Sequence, residues 1–247
     1  MQPKKGLNNI SYSNVAIKML TSSMKKVFLF FYLLLFTLNT NAQVPVSKEP
    51  RHHVVFENEK VRLLNVLLPP GDTTQFHEHS TPSVFISFTK TNTASQLIRQ
   101  KPVESTSSAG GVWFENLKPP NIKIHRVWNE DTAAFHVMDV EILAKDSGFT
   151  QEPLVLPHAE LVVDTAWART YKIQLAKSEQ ITVNEHSSPF VLVAINNGRI
   201  TMVKKGAEQK LSLQPGTFFW IKPDEQFTLL NQMNTDMRFA LVEINNL

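Results

Sequence analysis

Two stretches of this chain are near copies of each other. Glu78-His79-Ser80-Thr81-Pro82-Ser83-Val84-Phe85-Ile86 lines up with Glu185-His186-Ser187-Ser188-Pro189-Phe190-Val191-Leu192-Val193 at an offset of 107 residues. Farther on, the Val-Glu-Ile that closes Phe135 to Ile142 returns at the close of Phe239 to Ile244, at an offset of 102. Two matched blocks in one order imply a unit of about 100 residues built twice. The stretches between them are short and apolar, such as Val61 to Leu68 and Val84 to Phe88, and are separated by Pro, Gly, Asn and Asp. None keeps a helical period for long, so strands are expected throughout, in an all-β chain. With 42% apolar and 19% charged residues, such a chain can bury a full core.

Charge is uneven along the sequence. Of 25 basic residues, five lie in the first 42 positions, where there is no acid, which leaves 20 bases against 22 acids in the remainder. The net charge of +3 therefore comes from the leader, and a nucleic-acid partner loses its electrostatic support. Lys25-Lys26, the apolar run Val27 to Leu38, and Thr40 and Ala42 before Gln43 have the layout of a secretory signal peptide. At 12 residues the run falls short of the roughly 20 that a spanning helix needs. Residues 1–42 are accordingly read as a leader whose natural start is Met24, and the mature chain as secreted or periplasmic, free of the membrane once cleaved. Cysteine is absent, which removes disulfides, thiolate metal sites and a cysteine nucleophile together.

Histidines carry the chemistry. Gly71 is followed by five residues and then His77-Glu78-His79; downstream come Pro120, His125 and Asn129. If Gln75 to His79 is a strand, Gln75, His77 and His79 share one face and Glu78 points to the other. Two imidazoles on one strand face can hold a divalent ion, and a third from another strand completes the set; neutral imidazole suits Fe, Zn, Mn, Ni or Cu. Gln75, Ser83 and His136 are expected to line the pocket, with His136 sharing its parity with Met138, Val140 and Ile142. His52 and His53, in the segment leading into the fold, are read as lying outside the site. Trp113, Trp128 and Trp220 are read as core or interface residues.

The spacing resembles the cupin superfamily, whose first motif is Gly, five residues, His-x-His, three or four residues, Glu, and whose second is Pro-x-Gly-x-x-His-x-x-x-Asn. Gly71, His77, His79, Pro120, His125 and Asn129 match it. The motif's Glu would fall at Ser83 or Val84, and Ile122 replaces its Gly. The resemblance implies a bicupin, two jelly-roll barrels in tandem: a metal-binding barrel over 48–146, a linker over 147–164 with one short strand at Leu161 to Val163, and a degenerate barrel over 165–247. In the second copy Asn184 stands for His77, His186 for His79, and Phe227 or Thr228 for His125, so that half is expected to shape the pocket or to mediate homodimerisation.

A site of three His and no carboxylate leaves the ion its full charge and open positions for oxygen ligands. By resemblance this is closer to the three-His dioxygenases of diketones and thiols than to germins or quercetinases. The expected function is a metal-dependent dioxygenase of a small chelating organic substrate; the alternative is a non-enzymatic module that binds or senses a small ligand. No G-x-S-x-G elbow, Walker loop or G-x-G-x-x-G occurs to support hydrolase or nucleotide readings.

Overall fold

The structure, a computed structural model, describes residues 43–145 and 148–245; the expected leader lies outside them. Among the described residues the first half contributes β1 (Val44–Pro45), β2 (His52–Glu57), β3 (Val61–Leu68), β4 (His77–His79), β5 (Ser83–Ser87), β6 (Thr91–Leu97), β7 (Val103–Ser107), β8 (Val112–Glu115), β9 (Lys123–Asn129) and β10 (Phe135–Ile142), with one 3-10 turn at Val46–Lys48. The second contributes β11 (Ala159–Asp164), β12 (Ala168–Leu175), β13 (Gln180–Val183), β14 (Phe190–Ala194), β15 (Gly198–Lys204), β16 (Ala207–Leu213), β17 (Phe218–Ile221), β18 (Phe227–Leu230) and β19 (Met237–Ile244). The short strand expected at Leu161 to Val163 is the middle of β11.

Each half folds two sheets against one another. In the first they run β1-β4-β9-β6-β7 and β2-β3-β10-β5-β8; in the second, β13-β18-β15-β16 and β11-β12-β19-β14-β17. Pairing is antiparallel except where β1 joins β4, with Val44 beside His77. The first barrel thus recruits chain from Val44 onward, ahead of the expected residue 48. The repeat is visible in the register: Arg62 of β3 lies across from Glu141 of β10, and Arg169 of β12 lies across from Glu243 of β19. Its second block also recurs in side-chain detail. Asn129 Nδ2 donates to Leu68 O at 2.9 Å and Ala133 O at 2.8 Å, and Asn231 Nδ2 donates to Leu175 O at 2.8 Å and Thr235 O at 2.9 Å.

The two halves share a core. Strand β10 is buried at every position from Val137 to Ile142, because its two faces serve different interiors. Val137 and Asp139 look into the first barrel. Met138, Val140 and Ile142 join Val61, Leu63, Val84 and Ile86 and pack on Val191, Val193, Ala240, Val242 and Ile244 of the second half. Phe56 meets Phe218 with ring centroids 5.7 Å apart, and Phe114 stacks on Trp167 at 5.9 Å, so this seam is apolar and aromatic. Trp220 lies here beside Phe56, as an interface residue.

The interiors of the barrels differ. In the second, Tyr171, Phe190, Phe227, Phe239 and Leu241 fill the space between the sheets. The first keeps a cavity of about 460 Å³.

Candidate metal centre

Strand β4 is three residues long, and its alternation sends His77 and His79 inward, 0% and 2% exposed, while Glu78 turns outward. Across the ladder His125 of β9 sits opposite His77. The His77 and His79 Nε2 atoms are 3.1 Å apart, and so are those of His125 and His79. Two nitrogens held about 2.1 Å from one ion at right angles would stand about 3.0 Å apart, so the spacing fits neighbouring ligands of a single metal.

The outer nitrogens decide which inner ones carry lone pairs. His77 Nδ1 lies 2.9 Å from Gln75 O, an acceptor, so Nδ1 bears the hydrogen and the neutral ring leaves Nε2 free to ligate. Burial, followed by the neighbouring His52, pulls both His77 and His79 down to about 3, and burial with His77 and His79 depresses His125 further. The cluster is therefore unprotonated at neutral pH, the state that binds a metal.

A fourth imidazole completes the group. His52 of β2 has its ring centroid 4.5 Å from that of His77, and its donor atom lies within 4.8 Å of those of His77 and His79. The reading that left His52 outside the site is thus corrected: β2 runs along β3 with His52 opposite Val66, a cavity-wall residue, which aims the ring inward. His53, the next residue, is exposed and stays outside. Behind the cluster stand two buried carboxylates. Glu49 Oε2 is 2.6 Å from His52 Nδ1. Asp139 Oδ2 is 3.5 Å from His79 Nδ1, and the Asp139 carboxyl is fully buried beside the Ser83 hydroxyl. Burial pushes Asp139 up to about 7, against the pull of His52. Orphaned polar atoms are costly in an interior. Among the described residues the Nδ1 atoms of His79 and His125 have no hydrogen-bond partner, and the set of imidazoles with their Nε2 atoms turned together fits a divalent metal.

The cavity opens from His79 and His125. One wall carries the hydroxyls of Thr93, Ser95, Ser105 and Ser107 from β6 and β7, and another carries Phe85 stacked on Trp113 at 5.1 Å, with Trp113 38% exposed at the margin. Trp113 is thus a cavity residue rather than plain core. Lys123, also on the wall, is paired with Glu115 at 2.7 Å.

Three residues expected on that wall are elsewhere. Gln75 precedes β4 instead of belonging to it: its N–H is drawn to Glu49 Oε1 at 3.0 Å, and its side chain is exposed. Ser83 shares the inward parity of Phe85, yet lies off the cavity, fully buried, its hydroxyl donating to Thr81 O at 3.3 Å. His136 faces the seam, because the inward parity on β10 belongs to Val137 and Asp139; its Nε2 is 2.7 Å from Asn65 Oδ1 and its ring abuts Phe88. In the second half, Val183 pairs with Phe227 where His77 pairs with His125 in the first. There His186 accepts from Ser188 N–H at 3.1 Å, and its Nε2 lies 3.7 Å from Glu243.

Solved structures share this architecture. The chain superposes on a salicylate 1,2-dioxygenase from Pseudaminobacter salicylatoxidans with a TM-score of 0.55 at 13% identity, covering 81% of this chain and 78% of that one. It superposes on the protein YhaK from Escherichia coli at 0.54 and 15% identity, covering 79% and 91%. A third match is a cupin 2 conserved barrel domain protein from Leptotrichia buccalis, at 0.50 and 9% identity, covering 78% and 88%. The chain has the bicupin fold. No protein-family model matches the sequence, and no curated protein is similar to it. At these identities the likeness is one of fold, and the chemistry rests on the chain's own residues.

Proposed function

We propose that the protein is an exported metal-dependent cupin, an oxygenase whose N-terminal barrel holds one divalent ion through His77, His79 and His125 and acts on a small chelating organic substrate. The observation that carries this reading is the convergence of three imidazole Nε2 atoms, those of buried His77 and His79 and of half-buried His125, successive ones 3.1 Å apart, at a cavity of about 460 Å³. A cavity of that size falls within the range of small-molecule pockets. A bound redox metal would supply a Lewis-acidic centre able to take the substrate's oxygens. The chain's own part is to hold the imidazoles neutral and aimed, to stack a planar substrate against Phe85 and Trp113, and to offer the hydroxyls of β6 and β7 to its polar groups. That a structurally similar protein is a salicylate 1,2-dioxygenase supports an oxygenase on this fold.

Elemental analysis of the purified protein, followed by oxygen-uptake assays on chelating aromatic and diketone substrates, tests the reading. One equivalent of iron, manganese, nickel or copper with substrate-dependent oxygen consumption is expected. Zinc with no uptake would leave a hydrolase or a binding module, and a metal-free protein that still takes up a small ligand would leave the binding module.

A further inference from the structure

One buried carboxylate reaches the outer side of two of the imidazoles. Glu49 is 2% exposed. Its Oε2 accepts from Arg51 N–H at 2.8 Å and lies 2.6 Å from His52 Nδ1, while its Oε1 accepts from Gln75 N–H at 3.0 Å. The carbonyl of that same Gln75 accepts from His77 Nδ1–H at 2.9 Å. Both Glu49 oxygens already serve as acceptors for backbone N–H groups, so at 2.6 Å His52 Nδ1 is the donor, and the neutral ring keeps its lone pair on Nε2.

The metal motif lacks its carboxylate, since Ser83 and Val84 occupy that place. We propose that His52 is a fourth protein ligand of the metal and that Glu49 is its positioning residue. Residues 44–52 are then part of the metal centre, and the negative charge missing from the ligand set stands one shell farther out. This inference rests on the reading that the N-terminal barrel binds a metal. The geometry supports it from two sides: the His52 donor atom lies within 4.8 Å of those of His77 and His79, and the segment that delivers it is fastened beside His77, where Val44 pairs with that residue in β1–β4. A carboxylate behind a ligating imidazole fixes its tautomer and raises its basicity, and removing such a partner typically lowers metal affinity by about 10- to 100-fold.

The test is a titration of the metal-free protein with Co²⁺ against a competing chelator, recording both affinity and the visible absorption that reports the nitrogen ligands. The purified wild type should take one equivalent, and His79→Ala should take none. His52→Ala should keep one equivalent, with an affinity lower by about 10-fold or more and an altered absorption band. Glu49→Gln should weaken binding in the same direction and Glu49→Asp should restore part of it, whereas His186→Ala in the other barrel should match wild type. His52→Ala with wild-type affinity and absorption would overturn the fourth-ligand proposal while leaving the metal site intact. Should His52→Ala fail to fold, Glu49→Gln with wild-type affinity and absorption would overturn it equally. A wild type that binds no cobalt would remove the metal reading and this inference with it.

Discussion

Asn129→Ala should destabilise the protein by about 3 kcal/mol, through the loss of a buried junction beside the histidine strand. Asn129 is 2% exposed at the end of β9, four residues past His125. Its Nδ2 donates to Leu68 O and Ala133 O, and its Oδ1 accepts from Asp131 N–H at 2.9 Å. Leu68 is fully buried, so its carbonyl would lose its partner without gaining water, at about 1–3 kcal/mol; Ala133 and Asp131 are more open, and each lost bond there costs about 0.5–1.5 kcal/mol. Asn129→Asp should be worse, since a carboxylate oxygen would face the two carbonyls that Nδ2 now serves. Asn231→Ala in the other barrel should cost at least as much, for its side chain makes the matching bonds to Leu175 O, Thr235 O and Met233 N–H and one more to Ala176 O. Urea denaturation followed by tryptophan fluorescence measures all three. Because the halves share one seam, each variant should shift a single transition, and a loss of about 3 kcal/mol should lower the thermal midpoint by about 6–12 °C. A change under about 1 kcal/mol for Asn129→Ala, or an Asp variant more stable than the Ala variant, would refute the hydrogen-bond accounting.

Glu225 lies 2.5 Å from Lys204 Nζ and 3.3 Å from Lys205 Nζ, and the Lys204 hydrogen bond foremost holds it down to about 2. Its folded value lies below its unfolded one, so its contribution is complete above about 4.5 and fades as pH falls toward 2. Glu225→Gln should therefore lose no more than about 1 kcal/mol at pH 7, given the solvent around the lysines, and the difference should shrink in urea titrations near the acid end. Val242→Asp would bury an unpaired charge in the seam and should abolish soluble folded protein, read by expression and circular dichroism. Exported protein should begin at Gln43 on N-terminal sequencing; a mature chain that keeps Val27 to Leu38 would refute the signal-peptide reading.

Much of the candidate metal centre was legible because it obeys a local rule. In His77-Glu78-His79 strand alternation alone separates the inward imidazoles from the outward acid, and His125 is announced by its own spacing to Pro120 and Asn129. His52 and Glu49 were not legible, because they enter through contacts with β3 and with Gln75 that no periodicity encodes. Gln75 shows the same limit, since a carboxylate 26 residues earlier takes its N–H and turns it out of the strand. The misplacement of His136 has a different cause. A strand between a barrel interior and a seam is apolar on both faces, so parity groups its residues without saying which group faces the cavity. The signal that was present is Asp139 and Glu141, two acids of one parity in an otherwise apolar run.

The shared seam also bears on what can be cut from this molecule. A fragment ending after β10 would keep every histidine of the cluster, yet it would bare Val61, Leu63, Val84, Ile86, Met138, Val140 and Ile142 as one continuous oily face. Such a face gathers other chains before it gathers a ligand. The filled barrel is in this sense a permanent escort, unable to leave. Anyone wishing to graft the histidine cup onto a smaller scaffold would have to repaint that face with polar side chains first.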